Sequence, residues 1–261
     1  MPDKFMLRLL EVIGTKFLKL AEESGRVVIL FLKTILWIFR PPLNLRNILA
    51  QIEEVGINSI PVILITGAFT GMVLALQSYT GFKRFGAETF VGTVVALSIT
   101  RELGPVLSGL MVSGRVGSAM AAELGTMQVT EQIDALYTLA TNPIKYLIIP
   151  RFLATTIVMP ILTVFADIIG IIGGYMVSVY ILGSNPTIYE KKTWDYLELN
   201  DIYSGLVKAV VFGMIIAIVS CYQGFNTEGG ASGVGRATTK AVVLSSLMIH
   251  IANYFITALM F

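Results

Sequence analysis

The chain has 261 residues, of which 55% are hydrophobic and 14% charged, and its mean hydropathy is +0.77. This composition excludes an ordinary soluble domain and predicts a polytopic membrane protein. The net charge of +2 is too small to indicate nucleic-acid binding, while one cysteine and one histidine exclude an intrachain disulfide and argue against a zinc site.

Residues 1–56 are predicted to form a cytoplasmic or interfacial segment, and they show no signal-peptide pattern. Their apolar run, residues 27–39, is interrupted by Lys33. At 1.5 Å per residue this run reaches only ~20 Å, so it predicts a helix lying in the membrane interface and not a span. Pro41-Pro42 then break the chain, and a short amphipathic helix follows. Its predicted apolar face consists of Leu45, Ile48, Leu49, Ile52 and Val55.

Residues 57–261 are predicted to form one all-α membrane domain with five transmembrane helices. The expected spans are approximately residues 57–82, 89–113, 152–182, 202–223 and 241–261. Each is apolar and long enough to cross a hydrocarbon core of ~30 Å. Small residues recur at every fourth position within them, as in Gly67, Gly71 and Ala75. Such stripes predict helices that pack closely against one another in lipid.

The basic residues predict the orientation of these spans. With five spans, one side of the membrane holds eight basic residues before residue 57, three between spans 2 and 3, and two between spans 4 and 5. The other side holds four: Lys83, Arg84, Lys191 and Lys192. We therefore expect a cytoplasmic N-terminus and a periplasmic C-terminus.

The middle of the second span carries the charged pair Arg101-Glu102, followed directly by Gly104-Pro105. Mid-membrane charges cost at least ~2.5 kcal/mol each on insertion scales, so they usually face a cavity or a partner. Pro105 has no N–H group, which frees the carbonyl of Arg101 and favours a kink. Two interpretations are open: Arg101 forms a packing salt bridge with another helix, or it belongs to a functional polar site.

Two connecting segments carry further information. Residues 130–141 predict a short cytoplasmic helix with Thr130 as N-cap and Ile133 on its apolar face. Such a helix either docks a soluble motor or rests on the membrane surface. Residues 224–235 are rich in glycine but lack the G-x-x-x-x-G-K-[ST] motif, so they predict a flexible turn and no nucleotide site. We find no residue set typical of catalysis either, so the chain is not expected to be an enzyme.

Several motifs together resemble one family. They are Arg101-Glu102-Leu103-Gly104-Pro105, Gly114-Arg115-Val116-Gly117-Ser118, Ala122-Glu123-Leu124-Gly125 and Thr130-Glu131-Gln132. The chain from about Gly56 onward is similar through them to the MlaE-like (YrbE-like) permeases. These proteins are the membrane subunits of Mla-type phospholipid ABC transporters in double-membraned bacteria.

The resemblance implies a homodimer in the inner membrane that moves phospholipid between this membrane and periplasmic MCE-domain proteins, thereby maintaining outer-membrane lipid asymmetry. It implies two copies of a separate ATPase, which binds ATP and Mg²⁺ while this chain holds no cofactor, and a possible STAS-domain subunit. The positions carried over for lipid binding, in a pocket at the dimer interface, are Leu74, Gln77, Phe82, Phe85, Arg101, Glu102 and Lys208. Those carried over for ATPase coupling are Glu131, Gln132 and Ile133. The direction of lipid movement does not follow from these residues.

The residue chemistry agrees with a lipid site, because apolar side chains suit acyl tails and Arg101 with Lys208 suits a phosphate. The main alternative is a secondary transporter that uses Arg101, Glu102, Asp167 and Lys208 as an ion or proton relay. Asp167 matches no role implied by the resemblance. We expect it to pair with Arg101 or Lys208, or to face a second copy of the chain.

Overall fold

The computed structural model describes residues 2–42 and 44–260, with side chains from residue 14 onward except at positions 16 and 20. Within this part the chain is helical and contains no strand. The α-helices are α1 (Pro2–Ile38), α2 (Leu45–Gly56), α3 (Ile60–Phe82), α4 (Val91–Ser98), α5 (Gly104–Val112), α6 (Ser118–Val129), α7 (Gln132–Thr138), α8 (Ile149–Met176), α9 (Pro186–Tyr196), α10 (Leu199–Phe225) and α11 (Gly230–Met260).

Five helical segments of the described chain are long and apolar enough to cross a membrane, which confirms the predicted number of spans. They are Leu45–Phe85, Glu88–Val129, Ile144–Ile181, Leu199–Phe225 and Gly230–Met260. All five are longer than the predicted apolar cores, and the second, for example, continues beyond residue 113 to Val129. The second span is an unbroken series of α4, α5 and α6 joined by two π-helical turns, Ile99–Leu103 and Ser113–Gly117.

The N-terminal segment differs from its prediction in length. The 13-residue interfacial helix expected at residues 27–39 is the last part of the 37-residue helix α1. Its apolar side chains, among them Val27, Leu30 and Phe31, pack against a core formed by the second, third and fourth spans. The helix continues upstream because residues 2–26 contain no proline after Pro2 and few β-branched side chains.

Helix α2 presents only part of its predicted apolar face to the protein. Ile48 and Val55 are buried, whereas Leu45 and Leu49 are exposed. An amphipathic pattern does not distinguish packing against protein from contact with lipid, since both environments accept apolar side chains. Arg115 anchors this helix to the second span by donating to the Ser59 hydroxyl at 2.9 Å and to the Glu54 carbonyl at 3.1 Å.

The predicted small-residue stripes lie at close helix contacts. A Cβ atom at Gly71 would overlap the carbonyl of Gly170, which brings α3 against α8. Likewise, a Cβ atom at Gly205 would overlap the carbonyl of Thr100, which brings α10 against the π-helical turn of the second span. These close approaches determine which spans are neighbours.

Two segments outside the predicted spans are more helical than expected. The glycine-rich residues 224–235 do not form a flexible turn, because α11 begins at Gly230 and only residues 226–229 separate it from α10. Gly233 permits this short connection between the two helices, since a Cβ atom there would collide with the carbonyl of Glu228. Helix α9, which was not predicted, is capped by Asn185, whose side chain accepts from the Ile188 N–H.

Candidate functional site

The centre of the second span is built around the π-helical turn Ile99–Leu103, directly before Gly104-Pro105. Pro105 cannot donate to the carbonyl of Arg101, and that carbonyl accepts a hydrogen bond from Lys208 Nζ at 2.7 Å instead. The break in the backbone pattern thus creates an acceptor for a cation on the fourth span.

Lys208 is completely buried, and its ammonium group also lies 2.6 Å from Glu102 Oε1. The same oxygen accepts from the Thr257 hydroxyl at 2.9 Å, and Oε2 accepts from the Asn253 amide at 2.7 Å. Glu102 therefore joins the second, fourth and fifth spans through one carboxylate. Loss of Glu102 would be costly, because Lys208 is buried and its charge would be left without compensation, whereas Glu102 itself is 37% exposed.

Arg101 points to a different partner, Asp201 at the start of α10. Its Nε and Nη2 atoms both lie 2.6 Å from Asp201 Oδ1. The other oxygen of Asp201 accepts from the Glu198 N–H at 3.0 Å, which caps α10. The Asp201 carboxylate is buried, while 36% of the Arg101 side chain is exposed. Of the two cations in this network, Lys208 is enclosed by the protein and Arg101 is partly exposed at its surface.

An open groove of about 450 Å³ lies beside this network, along α3. Leu74 and Gln77 line it together with Phe69, Val73 and Leu103. Leu103 follows Glu102 directly and belongs to the same π-helical turn, so the apolar groove and the charged network share one element. The groove has the apolar character that acyl chains require and a single amide, Gln77, among its walls.

The two phenylalanines that the family resemblance assigns to lipid binding lie outside this groove. Phe82 packs against the apolar core around Val91, Val95 and Tyr189. Phe85 is 84% exposed in the turn that follows α3. The structure therefore places two of the seven lipid-binding candidates in the groove and three in the charged network, with Leu103 as the link between them, and it leaves Phe82 and Phe85 outside both.

Three polar residues of the network were not predicted from the sequence: Asp201, Asn253 and Thr257. Asp201 lies one residue before the predicted start of the fourth span, so the predicted span does not include it. A signal was nevertheless present, because Asp201 and Lys208 are seven residues apart and share one helix face. Asn253 and Thr257, four residues apart in an apolar helix, give the same signal on the fifth span.

Asp167 pairs with neither predicted partner in the described chain, since Arg101 binds Asp201 and Lys208 binds Glu102. It is buried on α8 with its Oδ1 atom against Gly104, where a Cβ atom would overlap it. That oxygen has no hydrogen-bond partner within the described residues. Among those residues there is also no cluster of three His, Cys, Asp or Glu side chains that could hold a metal ion.

The candidate coupling residues lie at the turn between α6 and α7. The helix spans Gln132–Thr138, shorter than the predicted 130–141, and Thr130 is not its N-cap because its hydroxyl donates back to Thr126. Glu131 holds that position with a positive φ of 59° and makes no side-chain cap. Ile133 is buried in the core shared by α6, α8 and α10. The exposed Glu131 therefore stands at the end of the element that leads through α6 to the charged network.

A comparison with known families matches residues 48–259 to the family described as Permease MlaE. The chain is 54% identical over 256 residues to a probable ABC transporter permease protein of Rickettsia typhi, covering 98% of this chain and 99% of that protein. It is 39% identical over 216 residues to the intermembrane phospholipid transport system permease protein MlaE of Haemophilus influenzae, covering 81% of each. It is also 41% identical over 229 residues to the chloroplastic protein TRIGALACTOSYLDIACYLGLYCEROL 1 of Arabidopsis thaliana, covering 88% of this chain and 65% of that protein.

Proposed function

This chain belongs to the MlaE permease family, and we propose that it is the membrane subunit of an ATP-driven transporter that moves phospholipid between the inner membrane and a periplasmic MCE-domain partner. The observation that carries the proposal is the π-helical turn of the second span, which joins an apolar groove to a charged network. The name of the Haemophilus influenzae relative supports phospholipid as the transported class.

The chemistry of such a site follows from its two parts. Acyl tails lie against Leu74 and Leu103, while the phosphate binds the exposed face of the Arg101 guanidinium, which offers planar donors for its oxygens. Lys208 is enclosed, so it contributes by holding Glu102 and the Arg101 carbonyl in place beneath the headgroup. Binding stays moderate because Arg101 must exchange the phosphate against Asp201 when the lipid leaves.

The transporter as a whole requires further chains. We propose a homodimer, with two copies of a separate ATPase that binds ATP and Mg²⁺ and contacts the turn at Glu131, Gln132 and Ile133. A ring of MCE-domain proteins and a STAS-domain subunit complete the assembly, whose role is to maintain outer-membrane lipid asymmetry. The names of the Rickettsia relatives, which are described as probable ABC transporter permease proteins, support an ATP-driven transporter over a secondary transporter with a charge relay.

The test is the phospholipid that co-purifies with the dimer. Arg101→Gln combined with Asp201→Asn keeps a neutral hydrogen-bonded pair but removes the cation. Because charge-assisted hydrogen bonds contribute ~1.5–3 kcal/mol, we expect at least about tenfold weaker lipid retention at unchanged thermal stability. Leu74→Arg, which places a bulky charge in the groove, should block lipid transfer while the dimer still assembles.

The companion variant Arg101→Ala separates lipid binding from packing. It leaves the buried Asp201 unpaired, so it should lower both stability and lipid content. If the charge-neutral double variant retains the wild-type amount of lipid, the phosphate binds elsewhere and Arg101 serves only to join the second and fourth spans.

A further inference from the structure

A second groove, separate from the one along α3, lies between the N-terminal helix α1 and the end of α10. Its volume is about 300 Å³, and it is bounded by α1, by Tyr137 of α7 and by residues at and after the last turn of α10. No residue of the groove along α3 or of the charged network takes part in it. We refer to it as the α1 groove.

Two cations of α1 line the α1 groove, Arg26 and Lys33. They are seven residues apart, so they stand two helical turns from each other on one face. Within the described part of the chain, Lys33 makes no ion pair. Arg26 pairs with Glu22 at 2.6 Å, but both side chains are about 60% exposed, and such surface pairs on a helix are weak. The groove thus presents one cation without an ion pair, Lys33, and one that is readily released from its ion pair, Arg26.

The remaining walls combine apolar surface with hydroxyl and amide groups. Ile29, Leu30 and Phe225 supply the apolar part, and Asn226 and Tyr222 supply polar atoms. The Tyr222 hydroxyl lies close to Arg26, and the carboxylates of Glu22 and Glu23 are also in its neighbourhood. A ligand that complements both the cations and the apolar residues of the groove carries a phosphate at one end and a hydrocarbon chain at the other.

The position of α1 identifies the source of that ligand. Its apolar residues pack on the membrane-spanning core, while Lys33 interrupts them. The helix therefore lies where the acyl-chain region and the headgroup region of the membrane meet. We propose that the α1 groove is a binding site for an anionic phospholipid of the surrounding leaflet. The phosphate binds Arg26 and Lys33, and the acyl chain lies against Ile29, Leu30 and Phe225. A bound lipid then touches Tyr137 and so connects α1 to α7.

The test uses the full-length protein in nanodiscs of phosphatidylcholine, titrated with phosphatidylglycerol, with thermal stability as the readout. Phosphatidylglycerol should raise the melting temperature of the wild type. Because each basic side chain near a membrane surface contributes about fivefold in affinity, Arg26→Gln with Lys33→Gln should weaken the apparent affinity for phosphatidylglycerol about thirtyfold. The matched control, Arg46→Gln with Lys240→Gln, removes the same two charges at exposed positions outside the groove and should respond as the wild type does.

Each outcome is decisive. Inorganic phosphate added to nanodiscs of phosphatidylcholine alone should give no shift; a shift of the full size would overturn the assignment to a lipid in favour of free phosphate. A phosphatidylglycerol response that survives in the groove variant, or that is lost equally in the control variant, would show that the stabilisation is not due to the α1 groove. If phosphatidylglycerol leaves the melting temperature of the wild-type protein unchanged, the α1 groove is not a binding site for this lipid.

Discussion

At the scale of single residues, the candidate site depends on Lys208, a completely buried cation in a membrane-spanning helix. Its ammonium group is retained there because two acceptors surround it, the carboxylate of Glu102 and the carbonyl that Pro105 leaves free. A buried ion pair adds little net stability by itself, but removal of one partner leaves an uncompensated charge. The network is therefore more sensitive to the loss of one member than to the replacement of a pair.

Lys208→Ala tests this sensitivity. The variant leaves Glu102 without its cation and the Arg101 carbonyl without a donor, but 37% of the Glu102 side chain is exposed, so we expect a loss in unfolding free energy below the ~3–5 kcal/mol of a fully buried pair. Lys208→Met combined with Glu102→Gln removes both charges and should regain more than half of that loss. Denaturation of the purified protein in detergent measures the two effects, with Lys240→Ala, an exposed lysine on α11, as the near-neutral control. A double variant as unstable as the single one would show that charge compensation is not the cause.

At the scale of helices, the small-residue stripes decide which spans touch, and the π-helical turns decide where polar groups are released from the backbone. Helix α3 packs on α8 through glycine, so their backbones are in direct contact. The stripe was readable from sequence because a four-residue repeat places its members on one face. Its partner was not readable, since several spans carry similar stripes and only the assembled bundle selects among them.

Gly71→Ala tests the α3–α8 contact. Its methyl group would overlap the Gly170 carbonyl, and because that atom belongs to the backbone the two helices must separate, at a cost of about 1–3 kcal/mol. Gly81→Ala on the same helix is the matched control, as no atom lies within 4 Å of its Cβ position. Thermal unfolding in detergent should rank Gly71→Ala well below Gly81→Ala. Equal melting temperatures would contradict direct backbone contact at Gly71.

Glu131→Lys tests the proposed role of the α6–α7 turn in coupling to an ATPase. The side chain is exposed beside the start of α7, so reversal of its charge should not disturb the fold but should repel a partner that offers a basic surface there. We expect the ATPase subunits to dissociate, or to lose lipid-stimulated turnover, while the permease still inserts. Asp195→Lys, an exposed charge reversal on α9, serves as control. Full assembly with normal turnover would remove the turn from the coupling mechanism.

At the scale of the whole molecule, the five spans place the two ends of the membrane domain on opposite sides. The distribution of basic residues predicts that the N-terminus is cytoplasmic. Helix α9 then lies on the periplasmic side, together with Lys191 and Lys192, and the α6–α7 turn lies on the cytoplasmic side. This predicted orientation puts the α6–α7 turn and the α1 groove in the same compartment.

Single cysteines test this orientation. A cysteine at Lys191, or one appended after the last residue, should react with a membrane-impermeant reagent from the periplasm, whereas one at Ser232 should not. The native Cys221 is completely buried and should contribute no background. Labelling of Ser232→Cys from outside would show that the orientation is the reverse of the predicted one, with the α6–α7 turn on the periplasmic side.

The sequence by itself determined the number of spans and the presence of charges in the second one. Both are local properties, since hydropathy and length act within one segment. Only the tertiary structure decided that Arg101 binds Asp201 and that Lys208 binds Glu102, pairs separated by about 100 residues along the chain. It also decided that Phe82 belongs to a core and that the glycine-rich segment enters α11. These outcomes depend on which helices become neighbours, and that choice is made by the close packing of the whole bundle, which no single segment encodes.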